Sequence, residues 1–309
     1  MGRLYTRDEE RIWWDQVRSH PGASFWHLYT KPPENGLIIP DEESLNVAVS
    51  YMAIAAKETN VTILAYAIMS NHFHWLIRSA ERSAFIFFRR FQHLLDVYLS
   101  RHGKGKTIRM LSVDKKEITS LKQFRDELAY ILRNPYAVRS DVNIMSNSWT
   151  SSFLYFNPIV SLIPSTPGDQ LSKREKRSLL KSSSLTIPSG ASAFNGKIHP
   201  ASFVDFKTVE LLFTNARKYT QWLLKNVESQ VEVSLRYGED VNIPDEELSP
   251  IVWKYCKDHF GNADIRSLQA QQMTDLLREF KYNYHTSNAQ LARLTDIPLK
   301  TIDSFFPPA

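Results

Sequence analysis

A chain of 309 residues is long enough for one large domain or for two or three small ones, and an apolar fraction of 43% supplies a sizeable core. The single cysteine, Cys256, excludes a disulfide framework and a zinc finger made of cysteines. No apolar run is long enough for a membrane span and the acidic first ten residues do not resemble a signal peptide, so we expect a cytoplasmic protein without a membrane partner. The net charge of +5 is consistent with a polyanionic partner.

Strand and helix patterns alternate in the first half of the chain. Aromatic and β-branched runs predict strands at residues 23–30, 61–69 and 72–78, and a short one near 108–113. Apolar residues three and four positions apart predict helices after Asp41, at 82–102 and at 120–133. The order β-α-β-β-α-β-α predicts an α+β fold, with a ferredoxin-like antiparallel sheet that carries its helices on one face.

Composition changes near Pro164. Residues 164–202 are rich in serine, proline and lysine, which predicts a linker with one short helical piece at 173–181. Residues 203–309 have helical spacing almost throughout. The predicted helices there are 204–214, 216–226, 244–260, 267–284 and a final region at 289–305. Residues 1–163 and 203–309 are therefore predicted to be two folded regions.

His72 and His74 are alternate residues of a predicted strand. Alternate side chains of a strand point the same way, so both imidazoles face one side while Phe73 faces the other. Two imidazoles in this arrangement can chelate one divalent ion. Two histidines without a shared role beside a core phenylalanine are the plainer interpretation. His27, in the first predicted strand, could point towards the metal, but packing in the core is the favoured interpretation.

Tyr130 and Asn134 are one helical turn apart and share a face of the third predicted helix. Presented together, a phenol and an amide oxygen could serve as a nucleophile and a metal ligand. A buried tyrosine, with an asparagine that ends a helix before Pro135, is the plainer interpretation.

Together the two patterns resemble the HUH single-tyrosine transposases, and among them the tyrosine transposases associated with REP sequences. The similarity rests on residues 65–77, AYAIMSNHFHWLI, and on residues 130–135, YILRNP, with a weaker match at 149–152, WTSS. It covers roughly the first half of the chain. Ser70 stands where many relatives have proline, Arg133 where they have an apolar residue and Tyr136 where valine is more common, but none of these positions carries a proposed chemical group.

The resemblance implies a role for each matching residue. His72 and His74 would be paired ligands of Mg²⁺ or Mn²⁺, Asn134 the third, oxygen ligand, and Tyr130 the nucleophile. The implied activity is cleavage and joining of single-stranded DNA near hairpins through a 5′-phosphotyrosine, by a protein associated with the nucleoid. Whether Tyr130 serves its own subunit or the other subunit of a homodimer stays open.

Two other functions are compatible with this sequence. A domesticated DNA-binding protein could recognise repeated hairpins without turnover, and it would not need the complete set of His72, His74, Tyr130 and Asn134. A metal-dependent phosphodiesterase that uses water would not need Tyr130. The presence of all four residues favours the tyrosine enzyme.

Positive charge is concentrated in and after the second predicted helix, where Asp96 is the only acid between residues 82 and 109. The basic residues are Arg82, Arg89, Arg90, Arg101, Lys104, Lys106 and Arg109. Such a stripe can neutralise phosphates, so we predict that these cations contact DNA. The interleaved aromatic residues have helical spacing and are predicted to lie in the core.

Residues 288–305 resemble a helix-turn-helix, although the turn lacks the usual glycine. The positions predicted to lie where the two helices touch are Leu291, Ala292, Ile297 and Ile302. Lys300, Thr301 and Ser304 would then face the major groove of a duplex. A plain pair of helices is the alternative.

Overall fold

The computed structural model describes residues 14–15, 23–31, 37–105, 107–138, 149–213, 215–225, 245–261, 264–284 and 286–307. The chain divides into two units. The first consists of residues 1–135 and 142–223, and the second of residues 136–141 and 224–309. None of the described helices has both the length and the apolar character that crossing a membrane requires.

The central sheet of the first unit has four strands, and the first three are rich in apolar, aromatic and β-branched residues. They are β1 (Ser24–Thr30), β2 (Thr62–Ile68), β3 (Phe73–Ser79) and β4 (Val113–Ile118). All neighbouring pairs are antiparallel, in the order β2-β3-β1-β4. The predicted α+β class with an antiparallel sheet is therefore confirmed.

The last strand begins five residues later than the sequence predicts. The predicted strand at 108–113 is instead a short 3₁₀ turn, Thr107–Met110, followed by β4. Gln92 fixes this turn, because its side-chain amide donates to the carbonyls of Ile108 at 2.8 Å and Leu111 at 2.9 Å. β4 is a polar strand at the edge of the sheet, so it lacks the apolar pattern that reveals a strand.

Two long helices cover one face of the sheet. They are α1 (Glu42–Thr59), whose first turn Asp41 caps by accepting from the backbone of Ser44 at 2.8 Å, and α2 (Glu81–Arg101). Both helices share a core with Phe73 and Trp75 of β3. The predicted apolar face of α2 is confirmed, since Phe88, Phe91, Leu95 and Tyr98 are all buried.

A third helix, α3 (Leu121–Val138), covers the opposite face of the sheet. Phe124 packs edge-on against Phe25 of β1 with 5.4 Å between ring centroids. Trp26, the next residue along β1, belongs to the core formed with α1 and α2, and successive side chains of a strand alternate between faces. The prediction that all helices lie on one face is therefore wrong for α3. Both faces of β1 are buried, so each needs a cover.

Residues 164–202 are predicted to be a linker, but they fold onto the first unit. They form β5 (Thr166–Pro167), α4 (Lys173–Leu180), β6 (Ser192–Phe194) and β7 (Lys197–Ile198). Leu180 and Ile198 are fully buried in the same core as α1, and the hydroxyl of Tyr51 donates to the Leu180 carbonyl at 2.8 Å. The high serine and proline content of residues 164–202 therefore accompanies short helices and strands that pack on the core, and it does not indicate an unpacked linker.

The remaining helices extend the first unit and build the second. They are α5 (Phe206–Leu211), α6 (Ala216–Lys225), α7 (Asp245–Phe260), α8 (Ala270–Asn283), α9 (Asn288–Thr295) and α10 (Leu299–Phe305). The indole of Trp222 in α6 donates to the Arg125 carbonyl in α3 at 3.1 Å, so the first unit continues beyond residue 203. The second unit has its own core, which includes Cys256, Phe280, Leu291 and Ile302.

Candidate active site

Four side chains that the sequence singles out meet between β3 and α3. His74 lies in β3 and His72 immediately before it, whereas Tyr130 and Asn134 are one turn apart on α3. The two imidazole rings lie on the same side of the strand, with 4.9 Å between their centroids. All four side chains are buried, with at most 7% of each residue exposed.

The carboxamide of Asn134 lies between the two imidazoles. Its Oδ1 atom is 2.9 Å from His72 Nε2, and its Nδ2 atom is 3.1 Å from His74 Nε2. Both Nε2 atoms therefore point towards one small region, which the amide of Asn134 borders. A strand and a helix from separate parts of the chain supply this convergence.

Tyr130 packs edge-on against His74, with 5.3 Å between ring centroids and an angle of 85° between the rings. It also contacts His27, with centroids 5.9 Å apart. Only 2% of Tyr130 is exposed. The phenol therefore belongs to the surroundings of the histidine pair, but a substrate could reach it only after a rearrangement.

His27 and Glu127 complete the cluster, although sequence reasoning favoured a core position for His27 and did not single out Glu127. His27 Nε2 lies 3.1 Å from His74 Nδ1, and His27 Nδ1 lies 2.9 Å from Glu127 Oε2. Lys116 Nζ lies 3.2 Å from the other oxygen of Glu127. Helical spacing could have indicated Glu127, because it precedes Tyr130 by three residues on α3 and so shares the buried face of that helix.

Burial keeps the histidine pair in the neutral form. Loss of hydration lowers the pKa of His72 to about 4, although the hydrogen bond with Asn134 acts in the opposite direction. Burial, helped by the neighbouring His72 and His27, holds the pKa of His74 well below its usual value. Burial alone would raise the pKa of Glu127, but its hydrogen bond with His27 and the charge and hydrogen bond of Lys116 lower the pKa overall. Neutral imidazoles are the form that binds metal ions.

The hydrogen-bond surroundings of His72 fit a cation. Its Nδ1 lies 2.8 Å from Asn71 Oδ1 and its Nε2 lies 2.9 Å from Asn134 Oδ1, so each nitrogen faces an amide oxygen. A neutral imidazole has one N–H and can donate to only one of them. A divalent ion at Nε2 would satisfy the second oxygen. Among the described residues no group of three or more His, Cys, Asp and Glu side chains could hold a metal, so this set depends on Asn134.

Several basic residues in and after α2 form ion pairs with nearby carboxylates. Arg90 pairs with Glu58, Arg109 Nε lies 2.6 Å from Asp96 Oδ1, and Lys104 Nζ lies 3.0 Å from Asp41 Oδ2. Arg82, Arg89 and Arg101 are exposed, and Lys106 lies outside the described residues. Because α2 and α3 cover opposite faces of the sheet, the cations on α2 do not surround the histidine pair.

Among the interleaved aromatic residues of α2, Phe85 departs from the prediction of a core position. It is 52% exposed, and the guanidinium of Arg89 lies over its ring, 5.5 Å from the centroid. In the second unit the three residues predicted to face DNA lie on α10. Lys300, Thr301 and Ser304 are all exposed there.

The chain matches no protein-family model, no curated protein and no solved structure. Its function is therefore inferred from the geometry around Asn134 and from the residues at 65–77 and 130–135 that carry the resemblance. Both segments contribute to the cluster, since the first contains the histidine pair and the second contains Tyr130 and Asn134.

Proposed function

We propose that this protein is a metal-dependent tyrosine enzyme that cleaves and joins single-stranded DNA, at sites flanked by hairpins, through a 5′-phosphotyrosine intermediate. The observation that carries the proposal is the convergence of His72 Nε2 and His74 Nε2 on the amide of Asn134, at 2.9 and 3.1 Å. Tyr130, one helical turn before Asn134, packs against His74. The proposed metal ligands and the proposed nucleophile therefore lie in one cluster.

The proposed reaction needs a cation and a phenol. Bound through His72, His74 and Asn134, Mg²⁺ or Mn²⁺ would stabilise negative charge on the scissile phosphate. The phenolic oxygen of Tyr130 forms a bond to phosphorus, and the bond from phosphorus to the 3′-oxygen breaks. The phenol loses one proton and the released 3′-oxygen gains one, so the products are a phosphotyrosine and a free 3′-hydroxyl. The phosphotyrosine retains the energy of the broken bond, so joining by the reverse reaction needs no nucleotide cofactor.

The wider architecture supports the same proposal. We propose a ferredoxin-like fold for the first unit, and the strand order β2-β3-β1-β4, with α1 and α2 as the two crossovers, supports it. In the second unit α9 and α10 contact each other, and Leu291 and Ile302 are buried in the core as a helix-turn-helix requires. Asp296, with φ of 60°, takes the turn position where glycine is usual. We propose that α10 presents Lys300 and Thr301 to a duplex or hairpin stem.

The burial of Tyr130 favours a second candidate function. A nucleophile must reach the phosphorus atom, yet only 2% of this residue is exposed. A DNA-binding protein without turnover could keep the cluster as a structural feature and recognise hairpins through its basic surfaces. In that case DNA would bind, but no covalent product would form.

A covalent-adduct assay separates the two functions. Labelled single-stranded oligonucleotides with and without hairpins, drawn from the flanks of the native gene, are incubated with the protein and Mg²⁺ or Mn²⁺ and analysed on a denaturing gel. We expect a metal-dependent protein–DNA band that Tyr130→Phe abolishes while affinity for DNA changes little. The matched control is Tyr282→Phe, since Tyr282 is 63% exposed in the second unit.

The possible outcomes point to different proteins. Cleavage without an adduct, retained in Tyr130→Phe, would indicate a hydrolase that uses water. Hairpin binding with neither adduct nor cleavage would indicate the DNA-binding protein without turnover. Either result would refute the tyrosine mechanism.

A further inference from the structure

We propose that His27 and Glu127 are positioning residues for His74. In this proposal they hold the His74 imidazole with its proton on Nδ1, so that the lone pair of Nε2 points at Asn134. The inference deepens the proposed function, because its consequence is a metal ligand that is oriented before the ion binds. Neither residue is exposed to any extent, so neither can touch a substrate directly.

The direction of the hydrogen bonds follows from Glu127. The ammonium of Lys116 lies 3.2 Å from Glu127 Oε1, and an ionised carboxylate can only accept hydrogen bonds. His27 therefore donates from Nδ1 to Glu127 Oε2 across 2.9 Å. His27 Nε2 lies 3.1 Å from His74 Nδ1, and it accepts from that group, because a His27 that donated at both nitrogens would leave the His74 proton on Nε2, facing the donor Nδ2 of Asn134.

His74 Nε2 then has a lone pair, as a metal ligand requires. The neighbour of this nitrogen agrees with that assignment, because Asn134 Nδ2 is a donor and lies 3.1 Å away. The opposite direction would place the lone pair of His27 Nδ1 against a carboxylate at a fully buried position, where an unsatisfied polar contact is costly. Contacts at both ends of the chain of hydrogen bonds therefore favour the same tautomer.

Outer partners of this kind are a general feature of histidine ligands. A ligating imidazole usually donates its second N–H to a carboxylate or another acceptor, which fixes the tautomer and the ring orientation. Asn71 has the equivalent position beside His72, since its Oδ1 lies 2.8 Å from His72 Nδ1 and can accept the second N–H of that ring. The partner of His74 differs, because it is a second imidazole, that of His27, which Glu127 holds by a hydrogen bond from a separate element.

Glu127→Gln tests the proposal, because it removes the charge and keeps the shape of the side chain. The tautomer of His74 is read from side-chain ¹⁵N spectra of the metal-free protein, with the signal assigned by its loss in His74→Gln. The affinity for Mn²⁺ is measured by calorimetry. We expect the Nδ1-protonated form in the wild type, a mixture of tautomers in Glu127→Gln, and a Kd for Mn²⁺ that rises by about 10- to 100-fold.

The matched control is Asp126→Asn, the neighbouring acid of α3, which pairs with Lys122 at 2.7 Å. It should change neither the tautomer nor the affinity. His27→Phe provides a second test that keeps a ring at the position, and it should weaken Mn²⁺ binding as Glu127→Gln does. Circular dichroism establishes that each variant is folded.

The outcomes distinguish this inference from the proposed function. A wild-type His74 protonated at Nε2 overturns the positioning role. So does Mn²⁺ binding by the wild type with an unchanged Kd in Glu127→Gln. A wild type that binds no Mn²⁺ overturns the proposed function and the orienting role together.

Discussion

At His72, burial links the proposed metal site to the stability of the fold. The side chain is removed from water, and the resulting loss of hydration lowers its pKa to about 4. The unfolded chain exposes the same imidazole to water, where its pKa has the ordinary value of about 6.5. The burial that keeps the ring neutral, as the proposed metal site requires, therefore also makes the fold sensitive to acid.

The metal-free protein should lose stability as the pH falls from about 6.5 to about 4. In this range the unfolded state binds a proton that the native His72 does not, so the free energy of unfolding increases with pH. We expect His72 to account for a loss of about 2 kcal/mol between pH 7.5 and pH 5, and His74 to add to it. Urea unfolding in the presence of EDTA measures this difference.

The comparison of two variants isolates the contribution of His72. His72→Gln should reduce the stability difference between the two pH values, whereas His93→Gln should leave it unchanged because His93 is exposed on α2. An equal pH dependence in the wild type and in His72→Gln would contradict this account.

The candidate site was predictable only within single elements. His72 with His74, and Tyr130 with Asn134, are each set by the period of one strand or one helix, so spacing alone places each pair on a common side. His27 and Glu127 join the cluster through the pairing of β1 with β3 and through the packing of α3 against that sheet. Spacing along the chain contains no information on such contacts between elements.

At the scale of elements, residues 149–151 protect the outer edge of β2. The backbone of Ile68 donates to the Trp149 carbonyl at 2.9 Å, and that of Ser151 donates to the Tyr66 carbonyl at 3.1 Å. An unprotected edge strand is prone to pair with other chains. The WTSS segment, which contributes to the resemblance, thus has a structural role in the first unit.

Tyr155→Phe should destabilise this edge. The backbone N–H of Tyr66 donates to Ser151 Oγ at 3.0 Å, that hydroxyl lies 2.8 Å from the Tyr155 hydroxyl, and Tyr155 donates to the Leu64 carbonyl at 2.7 Å. Removing the phenolic oxygen leaves buried partners unsatisfied, at a cost of about 1–3 kcal/mol. Urea unfolding should show a lower midpoint than for the wild type.

The control for this measurement is Tyr282→Phe, which removes the hydroxyl of an exposed tyrosine and should have no effect on the midpoint. A Tyr155→Phe midpoint equal to that of the wild type would show that the hydroxyl chain does not stabilise the edge.

The success of element prediction depended on the strength of the apolar pattern. The helices α1, α2 and α3 were found because each buries a continuous face, and β1 to β3 because most of their residues are apolar. β4 is polar and was misplaced. In the segment at 164–202 the helix predicted at 173–181 is confirmed as Lys173–Leu180. The strands there are too short for a period to emerge, so the segment was misinterpreted as a linker although Leu180 and Ile198 reach the core.

At the scale of the whole molecule, the chain consists of two units with separate cores. The predicted boundary near residue 203 falls too early, because α5 and α6 attach to the first unit; the Asp205 backbone donates to the Ile63 carbonyl at 2.8 Å. The histidine and tyrosine cluster belongs to the first unit, while Lys300 belongs to the second. The proposed chemistry and the proposed recognition of hairpins are therefore assigned to different units.

This separation predicts that Lys300→Glu affects recognition without affecting chemistry. Lys300 is exposed on α10, and a side chain that contacts phosphate contributes about one unit to the slope of log affinity against log salt. We expect weaker binding to a hairpin, a slope reduced by about one, and unchanged adduct formation on an unstructured oligonucleotide. Lys254→Glu, an equal charge change on the exposed side of α7, is the matched control. Equal losses of hairpin affinity in both variants would show that net charge, and not the surface of α10, determines binding.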